Sequence, residues 1–319
     1  MELFTKAMEN DLSYITEHVE SLSIVDAKGK TLLHYAVLGS AFDVIEYLLN
    51  QDINVNKADY QGETALFDCA RKGKLKIAKM LLYKYANTKV LNDRNESLLH
   101  LAAHKGDMDL IMLLIENGVP LDVKTSDGKL PIHYAILAGH VHLIPFFIET
   151  SKLSWFYTDT YQNTFLHYAA QTTNPFLIEL FLDQNLDPNA LNDQFESPLF
   201  MAARYGTIET TMKLLKADAY IDIGNRRFET PLAIAKFYEQ QAILTCLKEW
   251  REKPEYQRLI NEQALTLSVL NRDHIQLKTH IQSGNRMIKD RLKLTALDYA
   301  VKYKLTVCIS LLRSLPITV

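Results

Sequence analysis

The sequence predicts an all-α fold, a solenoid in which one turn and two helices repeat along the chain. Two observations predict it: a recurring phrase and the helix signals inside each copy. The phrase, for example Thr31-Leu-Leu-His-Tyr-Ala, begins at residues 31, 64, 97, 130, 164, 197 and 230. A nearly constant period of this length is typical of a protein built from stacked supersecondary units. A further copy begins at Thr295, which leaves room for one degenerate copy near Gln263.

Each copy carries the signals of two short helices. A hydroxyl residue such as Thr31 opens the first helix, because its side-chain oxygen can accept an unpaired backbone N–H. Glycines such as Gly73 and Gly106 are suited to end that helix in a left-handed cap. In the second helix, apolar residues such as Val44 and Leu48 recur at the spacing of an amphipathic helix. Turn residues then connect one pair to the next.

The phrase and its period resemble the ankyrin repeat. This resemblance implies a short β-hairpin finger in each unit, about nine units plus an N-terminal cap, and a concave side that binds other proteins. We expect capping helices at residues 1–21 and seven repeats at 22–250. Residues 251–319 are expected to form an irregular junction followed by two degenerate repeats.

Two segments depart from the pattern. Residues 151–157 read Ser-Lys-Leu-Ser-Trp-Phe-Tyr and contain the single extra residue of spacing, so we expect a bent or bulged junction there. Residues 251–263 have lost the finger signal, and Pro254 favours a helical turn in its place. We expect the stacking to be irregular at this second segment, with the remaining chain capping the array.

Composition and charge exclude several classes of protein. The chain has 319 residues, of which 48% are hydrophobic, and 35 basic against 38 acidic residues give a net charge of -3. These values exclude disorder, and they disfavour nucleic acid as the main ligand. Cys69, Cys246 and Cys308 fit neither a disulfide framework nor a zinc module, which favours a reducing cytoplasm. We expect a cytoplasmic monomer with no cofactor, no membrane span and no signal peptide.

The histidines and cysteines are expected to be structural. His34, His100, His133 and His167 each stand three residues after a helix-opening position, too far apart to converge on one metal ion. We expect each ring to bond the opening hydroxyl or a nearby backbone group. The three cysteines are expected to be small core residues. No glycine-rich phosphate loop, HExxH motif or nucleophile elbow is present.

The candidate binding site comes from positions at fixed offsets from each helix-opening residue. Finger positions and the end of the first helix are rich in aromatic residues and Arg in the third quarter of the array, and such residues dominate binding hot spots. Tyr205 and Arg226 are the strongest candidates within this set. The predicted partner-binding residues are Tyr161, Phe195, Arg204, Tyr205, Arg226, Arg227, Phe228, Phe237 and Tyr238. In the alternative interpretation, Phe195, Phe228 and Phe237 only pack between fingers that lack glycine.

A second predicted surface is more basic and would meet an acidic partner segment, although a solvated charged face remains an equal alternative. It consists of Lys28, Arg71, Lys72, Arg94, His104 and Lys105.

Taken together, these features predict a non-enzymatic adaptor or scaffold that binds a protein or peptide along its groove and finger tips. Such standalone arrays also resemble ankyrin effectors that intracellular bacteria deliver into host cells, which would place the protein in a host cytosol. Two alternatives stay open. One is an enzyme whose site lies in the irregular segment near Tyr256, His274, His280 or Cys308. The other is a scaffold that only self-associates.

Overall fold

The computed structural model describes residues 1–19, 21–51, 53–313 and 315, and the regular secondary structure of this part of the chain is helical apart from two isolated bridges. Its helices are α1 (Glu2–Met8), α2 (Leu12–His18), α3 (Leu32–Gly39), α4 (Phe42–Asn50), α5 (Ala65–Lys72), α6 (Leu75–Tyr83), α7 (Leu98–Lys105), α8 (Met108–Glu116), α9 (Pro131–Leu137), α10 (Leu143–Ser151), α11 (Phe165–Ala169), α12 (Pro175–Asp183), α13 (Pro198–Tyr205), α14 (Ile208–Lys216), α15 (Pro231–Phe237), α16 (Gln241–Arg251), α17 (Pro254–Glu262), α18 (Ala264–Leu270), α19 (His274–Gln282), α20 (Ala296–Lys302) and α21 (Thr306–Leu312). They form a cap pair, nine repeat pairs and the single helix α17, so the predicted fold class is confirmed.

The chain divides into two compact units, Met1–Leu153 and Ser154–Val319. In the first unit, α1, α3, α5, α7 and α9 stack in order, and the second helices pack behind them. The cap pair lies close to the first repeat: a Cβ atom added to Gly39 would come within 1.8 Å of the Met8 carbonyl oxygen. In the second unit, α11, α13 and α15 stack in the same way, as do α12, α14 and α16.

Apolar faces drive this stacking. Along α4, for example, Val44, Ile45 and Leu48 are buried, as the three-to-four spacing predicts. Ser197 and Thr230 cap α13 and α15 by accepting backbone N–H groups of the first turn, and a proline follows each of them at the first helical position. Since each helix has only two or three turns, its stability comes mainly from its neighbours.

The unit boundary falls inside the irregular segment 151–157. There Lys152 ends α10 in the left-handed conformation, with φ of 53°, where a glycine would be expected. The bend predicted for this segment stays a prediction.

Short fingers connect the repeats. Each begins with a residue whose side chain accepts backbone N–H groups two to four positions ahead, as Asp26 does from Lys28 and Lys30, both at 2.8 Å. The chain then closes with a backbone bond across the turn, from Asp26 N–H to the Lys30 carbonyl. The fingers span 26–30, 59–63, 92–96, 125–129, 159–163, 192–196, 225–229 and 290–294. They are so tight that only two isolated bridges, Val25 with Thr31 and Thr158 with Thr164, have strand character among the described residues.

His34, His100 and His167 each tie their own repeat to the next finger. The Nδ1 atom of His34 accepts the Thr31 N–H at 3.1 Å, so its Nε2–H donates to the Glu63 carbonyl at 3.0 Å. His167 bonds Thr164 and the Glu196 carbonyl with the same geometry. The structural role expected for these rings is thus confirmed. Burial keeps the rings neutral, and it lowers the pKa of His167 to about 4.

The last helices do not continue the stack. Helix α17 replaces a finger, as the Pro254 signal predicted, and α18 does not pack on α15 as α15 packs on α13. Instead, α18 to α21 share a core with Leu191, Tyr220 and Ile223, which lie in the loops before the sixth and seventh fingers. The Tyr303 hydroxyl accepts the Leu191 N–H at 2.8 Å, across 112 residues of sequence. The C-terminal segment therefore folds back on earlier loops of its own unit.

Candidate functional site

Three aromatic rings cluster where α13 and α15 end. The Tyr205 and Tyr238 ring centroids are 6.4 Å apart, and those of Phe237 and Tyr238 are 5.2 Å apart. All three side chains are exposed, with 52% of Tyr205, 76% of Phe237 and 44% of Tyr238 accessible to solvent. The rings contact one another without being buried, so they form a surface patch of the array and not part of its core.

Arg204 lies beneath this aromatic patch. Its guanidinium carbon is 5.6 Å from the Tyr205 ring centroid and 5.5 Å from that of Tyr238. On its other side Arg204 contacts Phe200, at 5.0 Å, and pairs with the Glu196 carboxylate at 3.0 Å. The ion pair and the rings fix the position of the Arg204 guanidinium. The patch is therefore already ordered in the unbound protein.

Two finger residues of the predicted site, Phe195 and Phe228, differ in their exposure to solvent. Phe228 is 75% exposed, whereas Phe195 is half-buried against the Arg272 guanidinium, 4.2 Å from its ring centroid, and Tyr303. Both phenylalanines have φ near +60°, a left-handed conformation in which non-glycine residues are strained. The packing of Phe195 follows the alternative interpretation, and the exposure of Phe228 and Phe237 does not.

The other finger residues lie close by. Arg226 donates its Nε–H to the Asp193 carbonyl at 2.6 Å, and its guanidinium is 5.7 Å from the Phe195 ring. Arg227 is exposed at the finger tip. Tyr161 is exposed on the fifth finger, and the Tyr161 carbonyl accepts the Asp193 N–H at 2.9 Å. The predicted partner-binding residues thus form one group at the ends of α13 and α15 and a second group on the fingers.

Comparison with known proteins identifies the array. A family model described as "Ankyrin repeats (3 copies)" matches residues 3–93, 99–192 and 166–258. The chain belongs to the ankyrin-repeat family. Repeats of this family are generally protein–protein interaction modules, and the predicted resemblance is confirmed.

Two similar proteins are informative in different ways. The crystal structure of the human ASB11 ankyrin repeat domain aligns with a TM-score of 0.57 at 24% identity, covering 68% of this chain and 97% of that one, and it shows the fold alone. A stretch of 56 residues is 41% identical to E3 ubiquitin-protein ligase XB3 of Oryza sativa subsp. japonica. That stretch covers 18% of this ankyrin array and only 12% of the ligase.

Arg272 is a site residue that sequence reasoning missed. It contacts both Phe195 and Phe228, and it donates to the Gly224 and Asn225 carbonyls at 2.9 and 2.7 Å. The register gave no signal for it, because Arg272 stands nine residues after Gln263, at the position that Gly73 and Gly206 hold in other repeats. It was missed because the eighth repeat has no finger, and its positions were therefore not compared with those of the other repeats.

Two of the six residues on the predicted basic surface, Arg71 and Arg94, are paired with carboxylates. Arg71 pairs with Glu63 at 2.5 Å and with Asp68 at 3.2 Å, and Arg94 pairs with Glu96 at 3.2 Å. The remaining members of that surface are exposed: Lys28, Lys72, His104 and Lys105. The acidic partners are buried, so this side of the first unit is a mixed-charge network and not a uniformly basic patch.

Glu96 shows how the network keeps a buried acid ionised. Burial favours the neutral acid, but hydrogen bonds from Tyr134 and Asn92 and the charge of Arg94 outweigh it and lower the pKa of Glu96. Asp68 is the opposite case, because burial outweighs Lys30 and Arg71 and raises its pKa.

Among the residues named for a hidden enzyme, Tyr256 is engaged in two hydrogen bonds and Cys308 has a raised thiol pKa. The buried Tyr256 hydroxyl accepts the Ile221 N–H at 2.8 Å and donates to Asp222 at 3.1 Å. His274 and Cys308 line one shallow depression of about 260 Å³, but burial raises the pKa of the Cys308 thiol, which disfavours a reactive thiolate. His280 lies on α19 and does not line that depression.

No group of three or more His, Cys, Asp or Glu side chains is arranged to hold a metal ion within 1–19, 21–51, 53–313 and 315. In the same ranges, no helix combines the length and the apolar character that crossing a bilayer requires.

Proposed function

We propose that this ankyrin array is a non-catalytic adaptor that binds a partner protein through the second unit. The observation that carries the proposal is the aromatic patch of Tyr205, Phe237 and Tyr238 over the ion-paired Arg204. Large rings with few torsions lose little entropy on docking, and aromatic residues and Arg are enriched among hot spots. The finger residues Tyr161, Arg226, Arg227 and Phe228 extend this proposed surface.

The proposal is tested by capturing partners from eukaryotic cytosol with the full chain and identifying them by mass spectrometry. The variant Tyr205→Ala/Phe237→Ala removes the two most exposed rings of the patch while leaving Arg204 paired with Glu196. The matched control is Phe176→Ala, because Phe176 is 65% exposed in the same unit but lies on the second helix α12. Circular dichroism verifies that all three proteins are folded.

We expect a captured partner to be lost at least about tenfold in the double variant and retained in the control. Equal capture by all three proteins would show that the aromatic patch is not the binding surface. A molar mass that rises with concentration, without any captured partner, would instead favour the self-associating scaffold.

We also propose the division into a cap at 1–21, repeats at 22–250 and a C-terminal segment at 251–319. Delivery into a host cytosol as an effector, and a cytoplasmic location in general, stay predictions. Comparing capture from several eukaryotic cytosols, and locating the tagged protein in cells, would test them.

A further inference from the structure

The row of fingers is interrupted after the seventh finger. Neighbouring fingers of the second unit are joined by a backbone bond at a fixed position, from Asp193 N–H to the Tyr161 carbonyl and from Arg226 N–H to the Gln194 carbonyl, both 2.9 Å. The next acceptor in this series is the Arg227 carbonyl. Helix α17 takes the place of the finger that would join the seventh and eighth repeats, and within the described residues no hydrogen bond to the Arg227 carbonyl is formed.

At the base of the seventh finger, side chains of the C-terminal segment form hydrogen bonds with the backbone, whereas the backbone at the finger tip has no such partner. Asn271 donates to the Asp222 carbonyl at 2.9 Å and accepts the Gly224 N–H at 2.8 Å. Arg272 donates to the Gly224 and Asn225 carbonyls. These two side chains replace the missing finger up to Asn225, so the open backbone edge begins at the exposed tip. Open backbone edges of this kind are sites where another chain can add.

A notch of about 380 Å³ lies beside this open tip. Phe228 lines it on the finger side, and Arg272, His274 and Ile275 line it on the side of α19. Ile275 is 70% exposed. The strained left-handed Phe228 occupies a position where other fingers have glycine, and its ring stays largely in solvent, which is unusual for a residue that only fills space.

Basic side chains outnumber acidic ones around the notch, although Asp222 and Asp273 also line it. Arg272 lines the notch, Arg226 and Arg227 are exposed on the finger that carries Phe228, and Lys304 shares the adjoining depression with Arg272 and His274. Burial, together with the charge of Arg226, lowers the pKa of Arg272.

The nearby carboxylates are engaged with other groups. Asp222 pairs with Arg251 at 2.8 Å, Asp273 caps α19, and Glu229 accepts from Asn225. Within the described residues no carboxylate is ion-paired with Arg227 or Arg272, so their charge can meet acidic groups of a partner.

We propose that this notch, the finger gap, docks an extended acidic peptide segment of a partner protein. The segment donates a backbone N–H to the Arg227 carbonyl, sets carboxylates against Arg227 and Arg272, and places an apolar side chain between Phe228 and Ile275. The inference rests on the proposed protein-binding function and names the kind of segment bound. A peptide is favoured over a nucleic acid because a phosphate backbone carries no N–H donor for the open carbonyl.

The test is a fluorescence anisotropy titration of the full chain with a labelled peptide that alternates Glu with Phe. The variant is Arg227→Glu. The matched control is Lys28→Glu, because Lys28 has the same position in the first finger and its carbonyl already accepts the Tyr60 N–H at 2.9 Å. A series of peptides, each methylated at one backbone nitrogen, then locates the bond to the Arg227 carbonyl.

We expect Arg227→Glu to weaken the peptide at least about tenfold and Lys28→Glu to leave its affinity unchanged. Methylation at one nitrogen, and not at its neighbours, should weaken binding about fivefold. The inference is overturned if a peptide with Lys in place of Glu binds equally well, or if Lys28→Glu is as harmful as Arg227→Glu. Competition by inorganic phosphate without any effect of methylation would likewise overturn it, since that result describes an ionic site only.

The proposed function and the finger-gap proposal can be refuted independently of each other. Tyr205→Ala/Phe237→Ala should not change affinity for the acidic peptide, because these rings do not line the finger gap. If cytosolic capture depends on Tyr205 and Phe237 while the acidic peptide does not bind, the proposed function stands and the finger gap is wrong.

Discussion

Repeats two and six use the same ion pair in different surroundings. In each, a Glu at the end of the finger pairs with an Arg eight residues later: Glu63 with Arg71, and Glu196 with Arg204. In each, a histidine of the preceding repeat bonds the backbone carbonyl of that Glu at 3.0 Å. The finger and the first helix are thus joined in the same way in both units.

The neighbours of the Arg differ. Arg71 has a second carboxylate, Asp68, whereas Arg204 lies among the rings of Phe200, Tyr205 and Tyr238. The ion pair therefore positions the Arg, and the residues around it determine whether the surface is a closed polar network or an aromatic patch open to a partner.

The largest expected difference concerns pH. His167 has a pKa of about 4 when folded and about 6.5 when unfolded, so the unfolded chain binds more protons between these values. Stability is full above pH 6.5 and falls as the pH drops toward 4, by about 2 to 3 kcal/mol for this residue.

Urea unfolding of wild type and His167→Gln at pH 7 and pH 4.5 measures this effect, and the stability gap between them should shrink at the lower pH. His34→Gln is the matched variant in repeat one, where burial also lowers the pKa of the histidine. A gap for His167 that does not depend on pH would contradict the neutral buried ring.

The next effect should separate the two ion pairs. Glu196→Gln leaves Arg204 without a carboxylate partner, so we expect the free energy of unfolding to fall by about 2 kcal/mol. Glu63→Gln should cost about 1 kcal/mol, because Arg71 keeps Asp68 and is itself about a third exposed. Urea denaturation of both variants provides the comparison, and equal losses would mean that the second carboxylate does not matter.

A smaller effect should distinguish the two strained phenylalanines. Phe228→Gly relieves the left-handed backbone strain of an exposed residue, and we expect it to raise stability by about 0.5 kcal/mol. Phe195→Gly should lower stability instead, because it loses the contacts with Arg272 and Tyr303. Thermal unfolding of both variants would reveal the opposite signs, and a common sign would contradict the distinct roles given to these rings.

The smallest effect is expected at Arg94. Its side chain is 72% exposed although it pairs with the buried Glu96. Arg94→Ala should change the free energy of unfolding by less than about 0.5 kcal/mol, since exposed pairs contribute little and Tyr134 and Asn92 still bond Glu96. A loss above 1 kcal/mol in urea denaturation would show that the pair is needed to keep Glu96 charged.

Local rules were sufficient to predict most of the fold. The opening hydroxyls and the Pro254 signal each act within one turn of chain. The regular spacing of the phrase repeats these local signals, so together they identify the helix pairs and α17 from the sequence. The ion pairs were not predicted, because Arg71 and Arg94 were examined without the Glu residues that face them. Phe195 and Arg272 were also beyond reach, since their contact depends on how the C-terminal segment folds back, and no local pattern encodes that.

The contacts between Tyr303 and Leu191, and between Lys302 and Asp187, also influence the order of folding. In a regular array each repeat needs only its neighbours, so folding can spread along the chain as synthesis proceeds. Here the partners of the loop before the sixth finger lie more than a hundred residues later in the sequence, which raises the local contact order. We expect the Leu191 amide to gain protection from hydrogen exchange only after α20 has formed, so the last repeat completes a loop made much earlier.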